Sequence, residues 1–240
     1  MMNKELNVPI IGVMHSPFKE KFGIPRQPNL VNSISYIEMF APYDDLNAFV
    51  GLEQFSHIWL IWQFHENKRT NQKDNFQPLI RPPRLGGNKK MGVFASRSMY
   101  RPSTMGLSVV KFLSVQRENK YTRVYVSGAD LLHGTPIIDI KPYLAYVEAI
   151  PEAISGYAQH QPEILMVSWS DSAQSELTKL LQEHAINAET LQTLEAILAQ
   201  NPKPAYQQKE EKVYGLSYAN FNIKFHIAMD KVIILSLQKT

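Results

Sequence analysis

Through most of the first 143 residues the apolar positions fall in short runs rich in β-branched and aromatic side chains, with few helical stripes, closed off by Gly, Pro, Asn or Asp. That is a β pattern. It predicts strands at Val8–His15, Ile34–Phe40, His57–Phe64, Gly92–Arg97, Leu107–Gln116, Tyr121–Ser127 and Thr135–Ile140. Strands of that number and length suit a barrel. Between them, one helical turn or two is expected at Tyr43–Phe55, where Leu46, Phe49, Val50 and Leu52 are spaced for a short amphipathic stripe. The stretch Glu66–Asn88 is long, polar and proline-rich, and a loop of that kind in a compact domain is usually functional or mobile.

The pattern changes after Lys141-Pro142-Tyr143. An acidic connector through Pro151 and Pro162 leads to a predicted strand at Ile164–Trp169 and a helix opened by Asp171 and Gln174 as a capping box. Leu177, Leu180, Leu181 and His184 form that helix's inner stripe. A second helix carries Leu191, Leu194 and Leu198 and stops before Pro202 and Pro204. Phe221–Met229 and Val232–Leu237 flank Asp230-Lys231 as a hairpin. The expected fold is therefore mainly β, a β-barrel N-terminal domain over residues 1–150 with a small α+β C-terminal domain over 163–240.

Composition narrows the function. A chain of 240 residues, 44% of them hydrophobic, buries a core without staples, and the absence of cysteine excludes disulfides, thiolate nucleophiles and Cys-based metal sites. With no apolar leader and no run near the roughly 20 residues that span a bilayer, the chain is expected to be soluble and cytoplasmic. The net charge of +3 conceals a strong asymmetry. From Glu66 to Arg123 thirteen Lys and Arg stand against three acids, a balance of +10, whereas from Leu144 to Asn201 one Lys stands against eight acids, a balance of −7. A basic face favours a polyanion such as RNA; ordinary solvated lysines are the plainer explanation of the same count. No G-x-G occurs, so a Rossmann cofactor site has no support, and P-loop, H-E-x-x-H and G-x-S-x-G signatures are absent as well. His65-Glu66 has no second His at helical spacing, and no metal site is expected.

Three stretches concentrate residues that a core does not need. Ile24-Pro25-Arg26-Gln27-Pro28 sets two long polar side chains between prolines in a stiff extended loop. Arg81-Pro82-Pro83-Arg84-Leu85-Gly86-Gly87, followed by Gly92-Val93-Phe94-Ala95-Ser96-Arg97-Ser98-Met99-Tyr100-Arg101-Pro102, places four arginines among Pro and Gly, a composition suited to anion recognition by guanidinium forks. Ser127-Gly128-Ala129-Asp130-Leu131-Leu132-His133-Gly134-Thr135-Pro136 runs on into Ile137-Ile138-Asp139-Ile140-Lys141-Pro142-Tyr143. A glycine near a carboxylate there lets backbone approach a ligand whose hydroxyl or amino group the acid accepts, although an Asp-capped turn has the same composition.

Together these arrays resemble the TsaA-like, TrmO-type tRNA (adenine-N6)-methyltransferases. The likeness runs from Ile11-Gly12 through Tyr143 and resumes at Asn201-Pro202-Lys203-Pro204-Ala205-Tyr206. It implies a β-barrel S-adenosylmethionine site at a homodimer interface, and a tRNA substrate methylated on N6 of threonylcarbamoyladenosine, next to the anticodon of a threonine tRNA. Carried over by motif, Pro25, Arg26, Gln27, His65, Glu66, Arg97, Leu107, Ser127, Gly128, Ala129 and Asp130 are the implied cofactor-contacting positions. Arg97 suits the methionine carboxylate, Asp130 an amino or ribose group, and Leu107 the adenine. Two positions depart from the family pattern: Ser103-Thr104-Met105-Gly106 stands where Asn-Pro-Ile-Gly is commoner, and His133 where Asp is commoner.

Methyl transfer from a sulfonium needs an in-line acceptor and no covalent nucleophile. No catalytic base is assigned by the sequence; Asp139 and His133 are the candidates. Lys203, Tyr206 and Lys209, around the proline-stiffened Asn201–Tyr206 segment, are the expected tRNA contacts of the tail. The rival readings are a non-catalytic RNA-binding or S-adenosylmethionine-sensing module, which would share the basic face, and a metal-dependent hydrolase using His57, His65 and nearby acids.

Overall fold

Alternation along the chain becomes strand structure wherever one set of side chains can be buried and the other left on the outer wall. The computed structural model describes residues 6–67, 76–85, 88–203 and 212–240. Its first half contains β1 (Gly12–His15), β2 (Ile34–Met39), β3 (His57–Gln63), β4 (Leu79–Ile80), β5 (Met91–Gly92), β6 (Met105–Glu118), β7 (Tyr121–Ser127) and β8 (Pro136–Pro142). Six of these join in the order β1-β2-β7-β6-β3-β8, and β8 pairs back on to β1, with Gly12 opposite Ile137, closing the sheet into a barrel without a free edge. Inward positions fill it: Met14, Ile37, Ile58, Leu60, Val110, Val124, Val126 and Ile137 are all inaccessible to solvent.

The remaining two strands, β4 and β5, pair with each other as a separate short ribbon. Here the expected strand Gly92–Arg97 is corrected. After Gly92 the chain turns through a 3₁₀ segment, Val93–Ala95, which buries Val93 while the Ser96 hydroxyl donates to the Val93 carbonyl at 2.8 Å. Serine hydroxyls that bond nearby backbone in this way compete with a strand ladder. The helical turns expected within Tyr43–Phe55 are found as two 3₁₀ turns, Leu46–Phe49 and Leu52–Gln54, parted by Gly51 at φ 91°; of the expected stripe, Phe49 and Leu52 pack on the barrel, but Leu46 and Val50 face solvent.

After the short α1 (Ala145–Glu148), the second half forms β9 (Met166–Trp169), α2 (Asp171–Gln182), α3 (Ala188–Ala199), β10 (Val213–Tyr218), β11 (Phe221–Ala228) and β12 (Lys231–Lys239). The sheet order is β10-β11-β12-β9, with β9 parallel to β12. The N-cap of α2 is Ser170, whose Oγ accepts from the Ala173 amide, so Asp171 is the first helical residue and not the cap. Leu177 and Leu180 of the predicted stripe are buried; Leu181 is exposed, and His184 lies beyond the helix end at φ 50°. β10 was not expected from the sequence. The core between this sheet and the helices takes in two residues from the first half, Phe18 and Val31. Phe18 forms a bridge with Tyr218, the Ala219 amide donates to the Pro17 carbonyl at 3.1 Å, and Glu20 accepts from the Ser217 amide at 2.8 Å. Among the described residues no helix is long and apolar enough to cross a membrane.

Candidate functional site

The three stretches singled out in the sequence meet at one end of the barrel. β7 ends at Ser127, and Gly128 turns the chain at φ 84°, a conformation glycine adopts without strain. The turn is gripped from both sides. The Gly128 amide donates to the Ser33 carbonyl at 3.1 Å, and the Gly128 carbonyl accepts from the Asn29 amide at 2.9 Å. The fit is tight enough that a Cβ on Gly128 would stand 2.4 Å from Asn29 Oδ1. Asn29 Nδ2 in turn donates to the Val109 carbonyl of β6 at 2.9 Å. The loop carrying Pro25, Arg26 and Gln27 is thereby pinned beside Ser127–Asp130.

Asp130 sits at the end of a hydrogen-bond chain that begins inside the barrel. Trp62 Nε1 donates to Ser108 Oγ at 3.1 Å, and Ser108 Oγ donates to Asp130 Oδ1 at 2.7 Å. Trp62 can lie there because its register partner on β6 is Gly106, where a Cβ would come within 2.2 Å of the indole. Phe64 closes the far side of the indole edge-on, at 4.4 Å between ring centroids. Asp130 keeps some solvent contact, but the packed wall behind it removes enough water that burial pushes its carboxyl up to about 6, against the opposing pull of the Ser108 hydrogen bond and the Arg97 charge. A carboxylate held that far above its ordinary range gains by meeting a cation or a donor.

Arg97 supplies the opposite charge. It is exposed, and its Nη1 donates to Gln27 Oε1 at 2.6 Å, while Gln27 Nε2 donates to the Arg26 carbonyl at 2.5 Å. Arg26 reaches across to the second half of the chain, where its Nη2 donates to the Asn201 carbonyl at 3.2 Å. Arg26, Gln27, Arg97 and Ser127–Asp130 thus form one connected group. His65 and Glu66 make their contacts outside that group: His65 lies near Gly134, and Lys21 Nζ donates to the Glu66 carbonyl at 2.6 Å and pairs with its carboxylate at 3.7 Å.

Other expected residues fall elsewhere. Leu107, half exposed, is the neighbour of inward-facing Ser108 and so projects from the opposite face of β6. One chain does not bring it together with the Asp130 carboxylate. Lys203 lines a cleft of about 230 Å³ with Lys21, Phe22, Arg26 and Gln200, between the first-half loop and the end of α3. Tyr206 and Lys209 lie outside the described residues. Of the two candidate bases, Asp139 is committed to an ion pair with Lys141 at 2.9 Å and to the Ile140 amide. The His133 ring lies edge-on to His15 at 5.1 Å, and burial lowers its pKa. His57 shares a hydrogen bond with Ser56 Oγ at 2.9 Å, and among the described residues no three His, Asp or Glu converge in a group that could hold a metal ion.

Sequence reasoning missed Trp62 and Ser108. The available signal was a serine at an inward-facing position of an otherwise apolar strand, Gly106-Leu107-Ser108-Val109-Val110, since a buried hydroxyl requires a partner.

This arrangement has known relatives. Residues 13–149 match the family model of the tRNA-methyltransferase O N-terminal domain, and residues 162–240 that of the TrmO C-terminal domain. The chain is 39% identical over 221 residues to a tRNA (adenine(37)-N6)-methyltransferase of Escherichia coli, covering 90% of this chain and 91% of the relative. It is also 39% identical over 220 residues to a putative S-adenosylmethionine-dependent methyltransferase of Pseudomonas aeruginosa, covering 90% of each. A solved structure of TrmO from the latter organism superposes with a TM-score of 0.78 at 32% identity, covering 100% of this chain and 99% of that one.

Proposed function

The chain belongs to the tRNA-methyltransferase O family, and from that premise we propose that it methylates N6 of threonylcarbamoyladenosine beside the anticodon of a threonine tRNA. It is an S-adenosylmethionine-dependent tRNA (adenine-N6)-methyltransferase in kind. The carrying observation is the Asp130–Arg97 arrangement: an exposed guanidinium braced by Gln27 and a desolvated carboxylate braced by Ser108 stand at one barrel end. Two fixed groups of opposite charge fit the zwitterionic amino-acid end of S-adenosylmethionine, with Arg97 to its carboxylate and Asp130 to its ammonium or a ribose hydroxyl. Bound, that cofactor supplies an electrophilic methyl on a sulfonium.

The chain's own residues bind and orient. Pro25, Arg26 and Gln27 form one wall, Ser127, Gly128 and Ala129 bring backbone close, and His65 and Glu66 close the rim. Holding the acceptor nitrogen in line supplies the rate acceleration that a transfer without a covalent intermediate requires. The outward projection of Leu107 supports a site shared between two copies, in which a partner's leucine covers the adenine of a cofactor held by Arg97 and Asp130. We accordingly read the protein as a cytoplasmic homodimer, with a cofactor-binding unit at 1–150 and a tRNA-positioning unit at 163–240 whose contacts are Lys203, Tyr206 and Lys209.

The test is methylation in vitro with tRNA from a strain lacking this modification, followed by mass spectrometry of the nucleosides. Methyl appearing on threonylcarbamoyladenosine of threonine tRNA is expected. Methyl on another nucleoside would replace the substrate assignment, and cofactor binding without any incorporation would mark a non-catalytic module. A monomer with full activity at assay concentration would refute the shared site.

A further inference from the structure

Either side of the β4–β5 ribbon, which leads on towards Arg97, two aromatic rings stand in the open. Phe76 and Phe94 are 55% and 68% exposed, with ring centroids 6.1 Å apart and planes inclined by 31°. Large apolar side chains paired on a surface mark a contact site more often than singly scattered ones do. The ledge that holds them is firm. Val93, next to Phe94, is buried, its amide donates to the Pro78 carbonyl at 2.9 Å, and the 3₁₀ turn through Ala95 fixes the direction in which the ring projects.

Arg101 completes the arrangement. Its guanidinium carbon lies 5.4 Å from the centroid of Phe94, and Nη1 donates to the Ser96 carbonyl at 2.9 Å and the Val93 carbonyl at 3.4 Å. These are neutral backbone acceptors, which position the cation without neutralising it. The surrounding sequence is one-signed: from Phe76 to Arg117 there is no Asp or Glu, while Arg81, Lys89, Lys90, Arg97 and Arg101 all fall within it. A flat apolar face beside the Arg101 cation, in a stretch of sequence without acids, is complementary to a flat apolar ring on a polyanion, which is an unpaired base of RNA. A protein partner matching the same surface would need clustered carboxylates around an aromatic pocket, which a second copy of this chain has no reason to present at its basic end.

We propose that Phe94, with Phe76 and Arg101, forms a stacking platform for an unpaired base next to the nucleotide that enters the site at Arg97 and Asp130. Phe94 is three residues before Arg97, which follows the end of the same 3₁₀ turn, so the platform adjoins Arg97. This rests on the tRNA-methyltransferase reading, and specifies which surface takes the single-stranded part of the substrate.

The experiment compares Phe94→Leu and Phe94→Trp in the full-length protein, with tRNA KM, kcat, calorimetric affinity for S-adenosylmethionine and solution mass as readouts at low and high salt. Stacking on one aromatic ring contributes roughly a tenfold change in affinity or more. Phe94→Leu should therefore raise the KM for tRNA about tenfold, with kcat, cofactor affinity and mass unchanged. The loss should persist at high salt, because stacking is not screened, and Phe94→Trp should restore it. Wild-type KM in both variants would overturn the platform, as would a change in mass or cofactor affinity in Phe94→Leu with RNA binding intact, which would make the ring a protein or cofactor contact. If the wild-type protein binds cofactor but methylates no tRNA, the substrate reading fails first and the platform falls with it.

Discussion

Asp130→Asn should make the cofactor-free protein more stable at neutral pH while destroying its affinity for S-adenosylmethionine. The asparagine keeps an acceptor oxygen for Ser108 Oγ, so the chain from Trp62 through Ser108 survives and only the charge is lost. In the folded protein burial raises the carboxyl from its ordinary 3.8 to about 6. The folded state therefore holds this proton more tightly than the unfolded state does. The residue's contribution to stability is complete below about pH 3.8, declines as pH rises, and is gone once pH passes about 6. At about 1.4 kcal/mol per tenfold change in proton affinity, the deficit at pH 7 reaches up to about 3 kcal/mol. Urea unfolding of both proteins between pH 4 and 8 measures it as a difference, in which the other titrating groups cancel. The stability gap should widen in favour of asparagine up to about pH 6 and then level. Adding S-adenosylmethionine should raise the wild-type midpoint and leave the variant's unchanged. A gap that does not vary with pH, or a variant less stable than wild type at pH 8, would refute the account of Asp130 as a desolvated carboxylate held ready for a cation or donor.

Arg97→Ala should weaken cofactor binding by roughly tenfold to a hundredfold, the value of a charge-assisted contact, and calorimetry on the folded variant reads it directly. Gly128→Ala should destabilise the protein by about 2 kcal/mol or more, because the left-handed backbone and the approach of Asn29 both oppose a Cβ; denaturant midpoints decide it. Lys203→Ala should raise the KM for tRNA several-fold with unchanged cofactor affinity, and unchanged methylation kinetics would reduce the segment to a structural role. A chain cut after Pro162 is a poor substitute for this last test, since Phe18 and Val31 would lose the core that buries them.

Most of the barrel was legible because its signal is local. In Tyr121–Ser127 and Ile34–Met39 the runs of β-branched and aromatic residues mark the strands, and the predicted and observed bounds agree to within a residue, although which side faces inward is not legible there, since polar Ser35 and Thr122 are buried while Ile34 and Tyr121 are exposed. The Val93–Ala95 turn and the Ser170 cap were misread because each depends on a single serine choosing between a ladder or a solvent face and a nearby backbone group. β10 follows the segment 204–211, which lies outside the described residues, and its burial depends on a hairpin partner downstream, so propensity alone had little to mark it. At the candidate site the arginines and the Gly128–Asp130 turn stood out by composition. The Trp62–Ser108 support did not, since its meaning lies in the pairing of β3 with β6, and no spacing within one strand reveals what stands across from it.

The insertion of Phe18 and Val31 into the C-terminal core makes the order of synthesis matter. The segment that carries Pro25, Arg26 and Gln27 leaves the ribosome well before its anchors do: one end of it is fastened by Tyr218 and Ala219 and its Arg26 by Asn201, all far downstream in the chain. The barrel strands all precede residue 143, but the loop bracing Arg97 gains its last anchors only once the segment from Asn201 to Ala219 has been made. A ribosome stalled before Asn201 therefore leaves behind a fragment whose Arg26–Gln27–Arg97 brace is only partly secured.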